Sequence, residues 1–271
     1  MRLAVLFFFY KDAEVCEDRL SLLRRLNPGV AIFGLYGGPL DDLGRMPGSL
    51  ARHFDDLYVF ESPQDAQWKW RNGEQLVSAW HRDRGHRLTW DTIVVVQWDM
   101  LVLAPIAQAF GMLAEGEILL SGLRPVAEVE TWWIWVRRNK RKHRAEFEAF
   151  MAYAAESFGY REAALCALFI VVCLPRRFLD RYLSAGVGEL GFLEYKLPTL
   201  AQAFGIPFCR DHPFIPWWQD EPATRWSAPG QRLLNAVNKD LDLKVIRAEL
   251  ERPGGQGIIH PFRSMRPDWL G

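Results

Sequence analysis

The chain has 271 residues, a length that fits one large domain or two small ones. Hydrophobic residues make up 49%, enough for a sizeable core that needs neither disulfides nor a structural metal. The 33 basic residues (Lys and Arg) equal the 33 acidic residues in number, so the formal net charge is +0. This balance argues against a disordered chain and against a protein that coats nucleic acid.

The cysteines and the apolar runs indicate the cellular compartment of the protein. The four cysteines form no CxxC pair, which is typical of reduced core residues in a cytosolic protein: Cys16, Cys166, Cys173 and Cys209. The apolar run near the N-terminus lacks a small-residue cleavage site, so a first strand is favoured over a secretory signal. The longest apolar run, 163–175, is shorter than the roughly 20 residues that span a bilayer. We therefore expect a cytoplasmic protein without a transmembrane helix.

Strand and helix patterns alternate along the first half. Continuous apolar runs predict strands at 3–10, 30–36, 57–60 and 91–103, and helical spacing predicts helices at 15–26 and 73–83. Asn72 and Gln75 have the spacing of a capping box before the second helix. The alternation predicts an α/β fold with a mainly parallel twisted sheet flanked by helices. Ligands of such sheets bind beyond the carboxyl ends of the strands.

The second half predicts a strand at 118–122, a helix around 147–158, a strand at 163–174, and helices at 176–183 and 197–204. A loop-rich C-terminus follows, in which 253–257 is rich in glycine and precedes Ile258-Ile259 and His260-Pro261-Phe262-Arg263. No internal repeat and no linker rich in Pro, Gly or Ser marks a boundary. The sequence therefore predicts a single domain, 1–271.

Asp99 is the most informative polar residue. Walker A, GxGxxG, HExxH and GxSxG motifs are missing, which leaves carboxylates and histidines as candidates. Asp99 directly follows a hydrophobic strand and so is expected at the ligand-binding edge of the sheet. A carboxylate there suits Mg²⁺ or Mn²⁺, which neutralise a diphosphate leaving group, and it equally suits a cap on the following turn.

Two segments resemble those of the GT-A-fold glycosyltransferases. Gln97-Trp98-Asp99-Met100-Leu101-Val102-Leu103-Ala104-Pro105 is similar to the family's DxD motif at the end of a buried strand, with Gln97 in place of the first acid. His260-Pro261-Phe262-Arg263 is similar in type and position to a C-terminal motif that supplies a second metal ligand. The resemblance covers the chain from Leu3 to about Arg263. It implies a nucleotide-binding half, 1–125, and an acceptor half with the C-terminal loop, 126–271.

The resemblance also implies ligands and their contacts. A divalent metal, Mn²⁺ or Mg²⁺, would bind Asp99 and His260. A nucleotide-diphospho-sugar donor would contact residues at the ends of the first and fourth strands and in the C-terminal motif: Phe9, Tyr10, Lys11, Gln97, Trp98, Asp99 and Arg263. The loop 254–257 would close over the diphosphate, or is a plain surface turn. Asp91 and Arg71 are further polar candidates.

Aromatic residues near the strand ends have two interpretations. Trp68, Trp70 and Trp98 are suited to stacking on a base or a sugar ring, and aromatic side chains at such positions also commonly pack in the core. The same core interpretation applies to Phe9 and Tyr10. The sequence leaves both open.

Glu194 is the candidate for the base that takes the proton of the acceptor hydroxyl, with Glu189 as the reserve. Its position just before a predicted helix looks like that of the family's acidic residue on the acceptor side. An acidic residue in the first turn of a helix also stabilises the helix dipole.

The segment 132–144 places tryptophans directly before a basic run. Tryptophan favours the headgroup level of a membrane and Lys/Arg clusters are attracted to anionic lipid, so this segment would allow peripheral contact with the inner membrane face. The alternative is a buried strand followed by the solvated start of a helix.

The expected function is transfer of a sugar from a nucleotide-diphosphate donor to a saccharide or lipid-linked acceptor, without a nucleic-acid partner. Because Gln97 replaces an acid of the motif, the alternative is a non-catalytic domain that binds a nucleotide or glycan.

Overall fold

The computed structural model describes residues 1–44, 48–212, 216–218, 234–235, 243–255 and 257–270. In chain order the strands are β1 (Leu3–Phe9), β2 (Ile32–Tyr36), β3 (Asp56–Val59), β4 (Thr92–Gln97), β5 (Leu101–Val102), β6 (Leu119–Pro125), β7 (Leu165–Pro175), β8 (Pro216–Trp217), β9 (Leu234–Asn235) and β10 (Ile258–Ile259). The helices are α1 (Ala13–Leu26), α2 (Leu40–Leu43), α3 (Ala66–Arg71), α4 (Gly73–Asp83), α5 (Ile106–Ala109), α6 (Arg141–Phe158), α7 (Arg176–Ala185), α8 (Leu193–Ala203) and α9 (Leu243–Glu251).

The central sheet has six strands in the order β3-β2-β1-β4-β7-β6. The first four are parallel, and β7 runs antiparallel to both β4 and β6. Strands from both halves of the chain share this sheet and one continuous hydrophobic core, and helices flank it. The prediction of an α/β fold with a mainly parallel sheet in a single domain is confirmed.

A smaller hydrophobic cluster fixes the C-terminal segment beside the end of β4. Leu22 of α1, Leu101 of β5 and Ile246 of α9 pack with Ile259 and Phe262. Strand β10 pairs antiparallel with β5, with Ile259 opposite Leu101. Because β5 follows β4 after one tight turn, this pairing brings the end of the chain to the carboxyl edge of the sheet.

The loop before β10 is held at both sides. A side chain on Gly255 would collide with the carbonyl oxygen of Glu249 at the end of α9, so glycine is required for this close approach. The Gly257 carbonyl accepts a hydrogen bond of 2.7 Å from the backbone N–H of Leu103. Gln256, in the middle of the loop, lies outside the described residues.

The predicted capping box is wrong, although α4 has the predicted bounds. The Asn72 side chain donates to the Trp68 carbonyl at 2.9 Å, because Asn72 also ends the short helix α3. The Gln75 side chain donates to the Tyr182 hydroxyl at 2.8 Å and to the Gly188 carbonyl. The Asn72 side chain therefore caps the preceding helix and the Gln75 side chain makes a tertiary contact, so neither binds the unpaired N–H groups of α4.

The predicted buried strand at the tryptophans is also wrong. Residues 129–139 form successive turns, in which the Trp132 and Trp133 N–H groups both donate to the Val129 carbonyl. The predicted solvated helix start is present, because α6 begins at Arg141 with exposed basic residues. In these turns the indole of Trp133 packs against that of Trp218, with 5.7 Å between the two ring centres.

The four cysteines lie buried with free thiols, as predicted. No helix in the described part of the chain combines the length and apolarity needed to cross a membrane.

Candidate functional site

A cavity of about 690 Å³ opens at the carboxyl edge of the parallel strands. Its wall comes from the ends of β1, β2 and β4, from the loop before α3 and from α3, and from β7 and the start of α8. This is the edge at which the α/β pattern of the sequence predicts ligand binding. The residues that bear on the chemistry are Phe8, Tyr10, Trp70, Gln97, Phe169 and Glu194.

Glu194 brings a carboxyl group to the cavity from the first turn of α8. Burial raises its pKa to about 7, and a hydrogen bond of 2.9 Å from the Phe169 N–H to Oε1 opposes part of that rise. At neutral pH this carboxyl is therefore poised between its acid and base forms. Such a group can accept a proton from a bound hydroxyl.

Gln97 is the last residue of β4 and also lines the cavity. Its Nε2 donates to the carbonyl of Phe169 at 2.7 Å and lies 3.3 Å from that of Ile170. These two bonds join β4 to β7 just where their backbone pairing ends. An aspartate in this position would point a carboxylate at carbonyl oxygens, so the amide has a structural reason here.

Asp99 lies two residues beyond β4 in a second cluster with His260 and Arg263. Asp99 Oδ1 lies 3.5 Å from His260 Nε2, and Oδ2 lies 3.7 Å from Arg263 Nε. The backbone holds the cluster together, because the Phe262 N–H donates to the Asp99 carbonyl at 2.7 Å. The structure therefore brings together three residues that the resemblance selected from opposite ends of the chain.

The charge state of Asp99 follows from its neighbours. Burial alone would raise the pKa of this carboxyl, but His260 and Arg263 outweigh burial and the pKa is lowered. Asp99 is therefore a carboxylate at neutral pH. Its Oδ1 and the Nδ1 of His260 are buried without a hydrogen-bond partner, so both residues retain capacity for a further ligand.

These two residues fit part of a metal site. A carboxylate oxygen and an imidazole nitrogen are suitable ligands for Mn²⁺, and Mg²⁺ commonly takes one or two carboxylates together with substrate phosphates and water. Within the described residues no group of three or more His, Cys, Asp or Glu is placed to hold a metal alone. A divalent ion here would take its remaining ligands from water or from oxygens of a bound substrate.

Tyr10 connects the cavity to the Asp99 cluster. It lines the cavity, its ring lies 5.8 Å from that of Trp98, and burial raises its hydroxyl pKa. Lys11 places its Nζ 4.7 Å from the Trp98 ring, on the face of the indole. Tyr10 thus links the cavity to Trp98 and Lys11, while Asp99, His260 and Arg263 themselves are not among the residues that line the cavity.

Other sequence candidates occupy different places. Phe9 packs in the core, 2% exposed and 5.2 Å from the ring of Tyr36, whereas Phe8 lines the cavity. The alternation of side chains along a strand places Phe8 and Tyr10 on one face, and this signal would have selected Phe8. Trp98 is buried and Trp68 stacks on Phe60.

The remaining polar candidates are engaged elsewhere. Asp91 lies before the amino end of β4, paired with Arg2 at 3.1 Å, far along the strand from Asp99. Arg71 donates to Glu146 of α6 at 2.7 Å. Glu189 is exposed and lines a neighbouring groove of about 760 Å³ rather than the cavity of Glu194.

A buried ion pair between α8 and α4 was not anticipated from the sequence. Lys196 Nζ lies 2.7 Å from Glu74 Oε1, with side chains 0% and 2% exposed, and also donates to the Gly188 carbonyl at 3.0 Å. The pair joins α8 to α4 two residues after Glu194. Its sequence signal is weak, because a Lys and a Glu more than a hundred positions apart carry no local pattern.

Comparison with models of known protein families gives no match for this chain, and comparison with curated proteins gives none either.

Proposed function

We propose that this protein is a glycosyltransferase of GT-A-like fold that moves a sugar from a nucleotide-diphosphate donor to a saccharide or lipid-linked acceptor. The observation that carries the proposal is the cavity at the carboxyl ends of the parallel strands. It presents a carboxyl group with a pKa of about 7, Glu194, and the ring of its lining residue Tyr10 lies 5.8 Å from that of Trp98, which directly precedes Asp99. One edge thus offers a proton acceptor and a separate place for a diphosphate.

In the proposed reaction the acceptor hydroxyl oxygen forms a bond to the anomeric carbon of the donor sugar. The bond from that carbon to the diphosphate oxygen breaks, and its electron pair leaves with the diphosphate. Glu194 takes the proton of the hydroxyl on one carboxylate oxygen, while Oε1 retains its bond from the Phe169 N–H. A base with a pKa near the working pH is well suited to this transfer.

The charged residues at the other side of Tyr10 suit the diphosphate. Arg263 and Lys11 provide cationic groups, and a guanidinium can bind phosphate oxygens through paired donors. Asp99 and His260 would hold Mn²⁺ or Mg²⁺, which when bound neutralises negative charge on the leaving group. Arg263 faces Oδ2 of Asp99, so the unpartnered Oδ1 would be the oxygen available to an ion.

We further propose that the enzyme works in the cytoplasm, with contact to the inner membrane face through 132–144. In this segment Arg138, Lys140, Arg141 and Lys142 are exposed, while Trp133 is 6% exposed. Such contact would be electrostatic, because the indole that lies deepest in the segment is packed in the core.

A second candidate is a non-catalytic domain that binds a nucleotide or glycan. The observation in its favour is the position of Gln97, whose amide binds the backbone of β7 and offers no charge to a metal. This domain would bind donor or acceptor and would turn neither over.

Thermal unfolding with nucleoside diphosphates and nucleotide sugars, each with Mn²⁺, Mg²⁺ or chelator, tests whether a donor binds. A ligand at 100 times its dissociation constant adds about 2.7 kcal/mol to stability, which for a chain of this size raises the midpoint by several degrees. The proposal predicts a metal-dependent shift for one nucleotide. Absence of a shift for every nucleotide in a folded sample would contradict it.

A further inference from the structure

Three of the eight exposed large hydrophobic side chains in the described part of the chain lie at the cavity. Tyr10, Leu40 and Trp70 all line it, and they are 38%, 49% and 61% exposed. Trp70 has the largest exposed fraction among the large hydrophobic side chains of the described residues. An aromatic ring of this size left in water at the mouth of a cavity indicates a ligand surface.

Trp70 is supported on one side only. Its ring lies 5.8 Å from the ring of Trp135 and 5.9 Å from that of Phe192. Those two rings stack on each other at 4.0 Å, so both supports approach Trp70 from the same direction. The guanidinium of Arg71 covers Trp135 at 5.1 Å. The indole is thus a fixed platform whose remaining surface is open to a ligand.

The polar groups beside this platform are mainly neutral. Gln64 and Gln67 line the cavity, and within the described residues neither side chain has a hydrogen-bond partner. The nearby charged side chains have partners of their own: Asp65 Oδ1 accepts from the Trp68 N–H at 2.7 Å, Lys69 Nζ lies 3.3 Å from the Gly38 carbonyl, and Arg71 donates to Glu146 at 2.7 Å. Amides and an exposed aromatic ring that line one cavity suit hydroxyl groups and apolar C–H faces, the two surfaces of a neutral sugar ring.

The platform lies on the side of the cavity where an acceptor must enter. Phe192, which supports Trp70, precedes Glu194 by two residues, and both line the cavity with Trp70. The cations suited to a diphosphate lie beyond Tyr10. We infer that Trp70 is the stacking platform for a neutral saccharide ring of the acceptor, with Gln64 and Gln67 binding its hydroxyl groups. This inference rests on the proposed glycosyltransferase function.

The test compares Trp70→Ala, Trp70→Phe and the control Trp269→Ala, which removes an exposed indole that does not line the cavity. Each protein is applied to a printed array of neutral oligosaccharides of hexoses and N-acetylhexosamines, and its affinity for uridine, guanosine and adenosine diphosphates is measured in parallel. We expect Trp70→Ala to bind the array about tenfold more weakly or worse, as for truncation of a central aromatic contact. Trp70→Phe should retain most of the affinity, and Trp269→Ala should match the wild type.

Gln67→Ala is a second variant that leaves the aromatic cluster intact, and it should also weaken glycan binding while the urea midpoint stays unchanged. Wild-type protein that binds no glycan, or Trp70→Ala that binds like the wild type, would overturn the inference. Loss of nucleoside diphosphate affinity in Trp70→Ala would overturn it too, because the ring would then stack on the base. Glycan binding that depends on Trp70, without turnover of any nucleotide sugar, would contradict the transferase proposal alone.

Discussion

Glu194 and Gln97 hydrogen-bond to opposite backbone groups of one residue of β7. Glu194 accepts from the Phe169 N–H at 2.9 Å, and Gln97 donates to the Phe169 carbonyl at 2.7 Å. The antiparallel strand therefore sets the spacing between the proposed base and the end of β4, from which the Asp99 cluster follows. Chemistry at this edge depends on β7 as much as on the parallel strands.

Glu194→Gln should abolish the base while keeping the side-chain shape. We expect transfer to fall by a factor on the order of 10² to 10⁴, the range typical of a lost general base. In the wild type, the rate should rise with pH around a midpoint near 7 as the carboxyl loses its proton. Steady-state rates from pH 5 to 9 measure both effects, with Glu189→Gln as the matched control. Equal losses in the two variants would contradict the assignment.

The same carboxyl predicts a pH dependence of stability. Its folded pKa of about 7 lies above the ordinary value of 4.5, so the protonated form stabilises the fold below pH 4.5 and this contribution disappears as pH rises through 7. Relative to Glu194→Gln, the wild type should lose at most about 3 kcal/mol between pH 4.5 and 8. Urea unfolding at several pH values measures the difference, and parallel curves for the two proteins would refute the raised pKa.

Asp99→Asn should weaken metal-dependent nucleotide binding, because it removes the carboxylate that faces His260. Asp91→Asn makes the same chemical change at the other end of β4 and should leave nucleotide affinity unaltered. Calorimetric titration of the nucleotide found in the thermal panel, with Mn²⁺ and with chelator, compares the two variants. If Asp99→Asn retained full metal dependence, the ion would have to bind elsewhere.

Gln97→Asp introduces the acid that this chain lacks at the first position of the DxD-like motif, and we expect it to destabilise the fold. The new carboxylate would face the carbonyls of Phe169 and Ile170, to which the Gln97 amide now donates. Loss of these bonds near a cavity wall should cost about 1–3 kcal/mol. Denaturant unfolding and Mn²⁺ titration test this, and a variant that gained metal affinity at unchanged stability would show that Gln97 has no structural role.

Lys196→Met should leave the Glu74 carboxylate buried without its cation and cost about 3–5 kcal/mol. Replacing Glu74 by Leu in the same protein should recover much of that loss, because burying two apolar side chains carries no charge penalty. Denaturant unfolding of both variants measures the effect of the ion pair on stability, and the activity of the double variant shows whether the ion pair is also needed for turnover. A double variant as unstable as the single one would show that packing, not charge, dominates here.

The parts of the fold that the sequence predicted are those with a strong local pattern. The buried run of β1 and the amphipathic α4 have such patterns, and their bounds agree closely with the prediction, whereas the predicted strand 91–103 is split by a turn into β4 and the short β5. Helix α8 begins four residues earlier than predicted. Pro198 lies inside this helix, although proline has no N–H to bond the Glu194 carbonyl. The antiparallel direction of β7 carries no signal in its own apolar run, since pairing is decided by the rest of the sheet.

The candidate site was predictable only where a family-like segment marks it. Asp99, His260 and Arg263 lie together as the resemblance implied, although the residues come from distant parts of the chain. The resemblance implied a donor contact for Trp98 and none for Trp70, yet Trp70 is 61% exposed at the cavity and Trp98 is 1% exposed in the core. That difference depends on tertiary packing, which no local pattern encodes.

The most direct test of the account is release of nucleoside diphosphate from a panel of nucleotide sugars, with and without acceptor saccharides, by wild type and Glu194→Gln. The account predicts that one donor is turned over by the wild type, faster when an acceptor is present, and that Glu194→Gln binds that donor with unchanged affinity but transfers on the order of a hundredfold more slowly. If the wild type bound a donor but released no nucleoside diphosphate with any donor and acceptor, this would contradict the account and favour the non-catalytic binding domain.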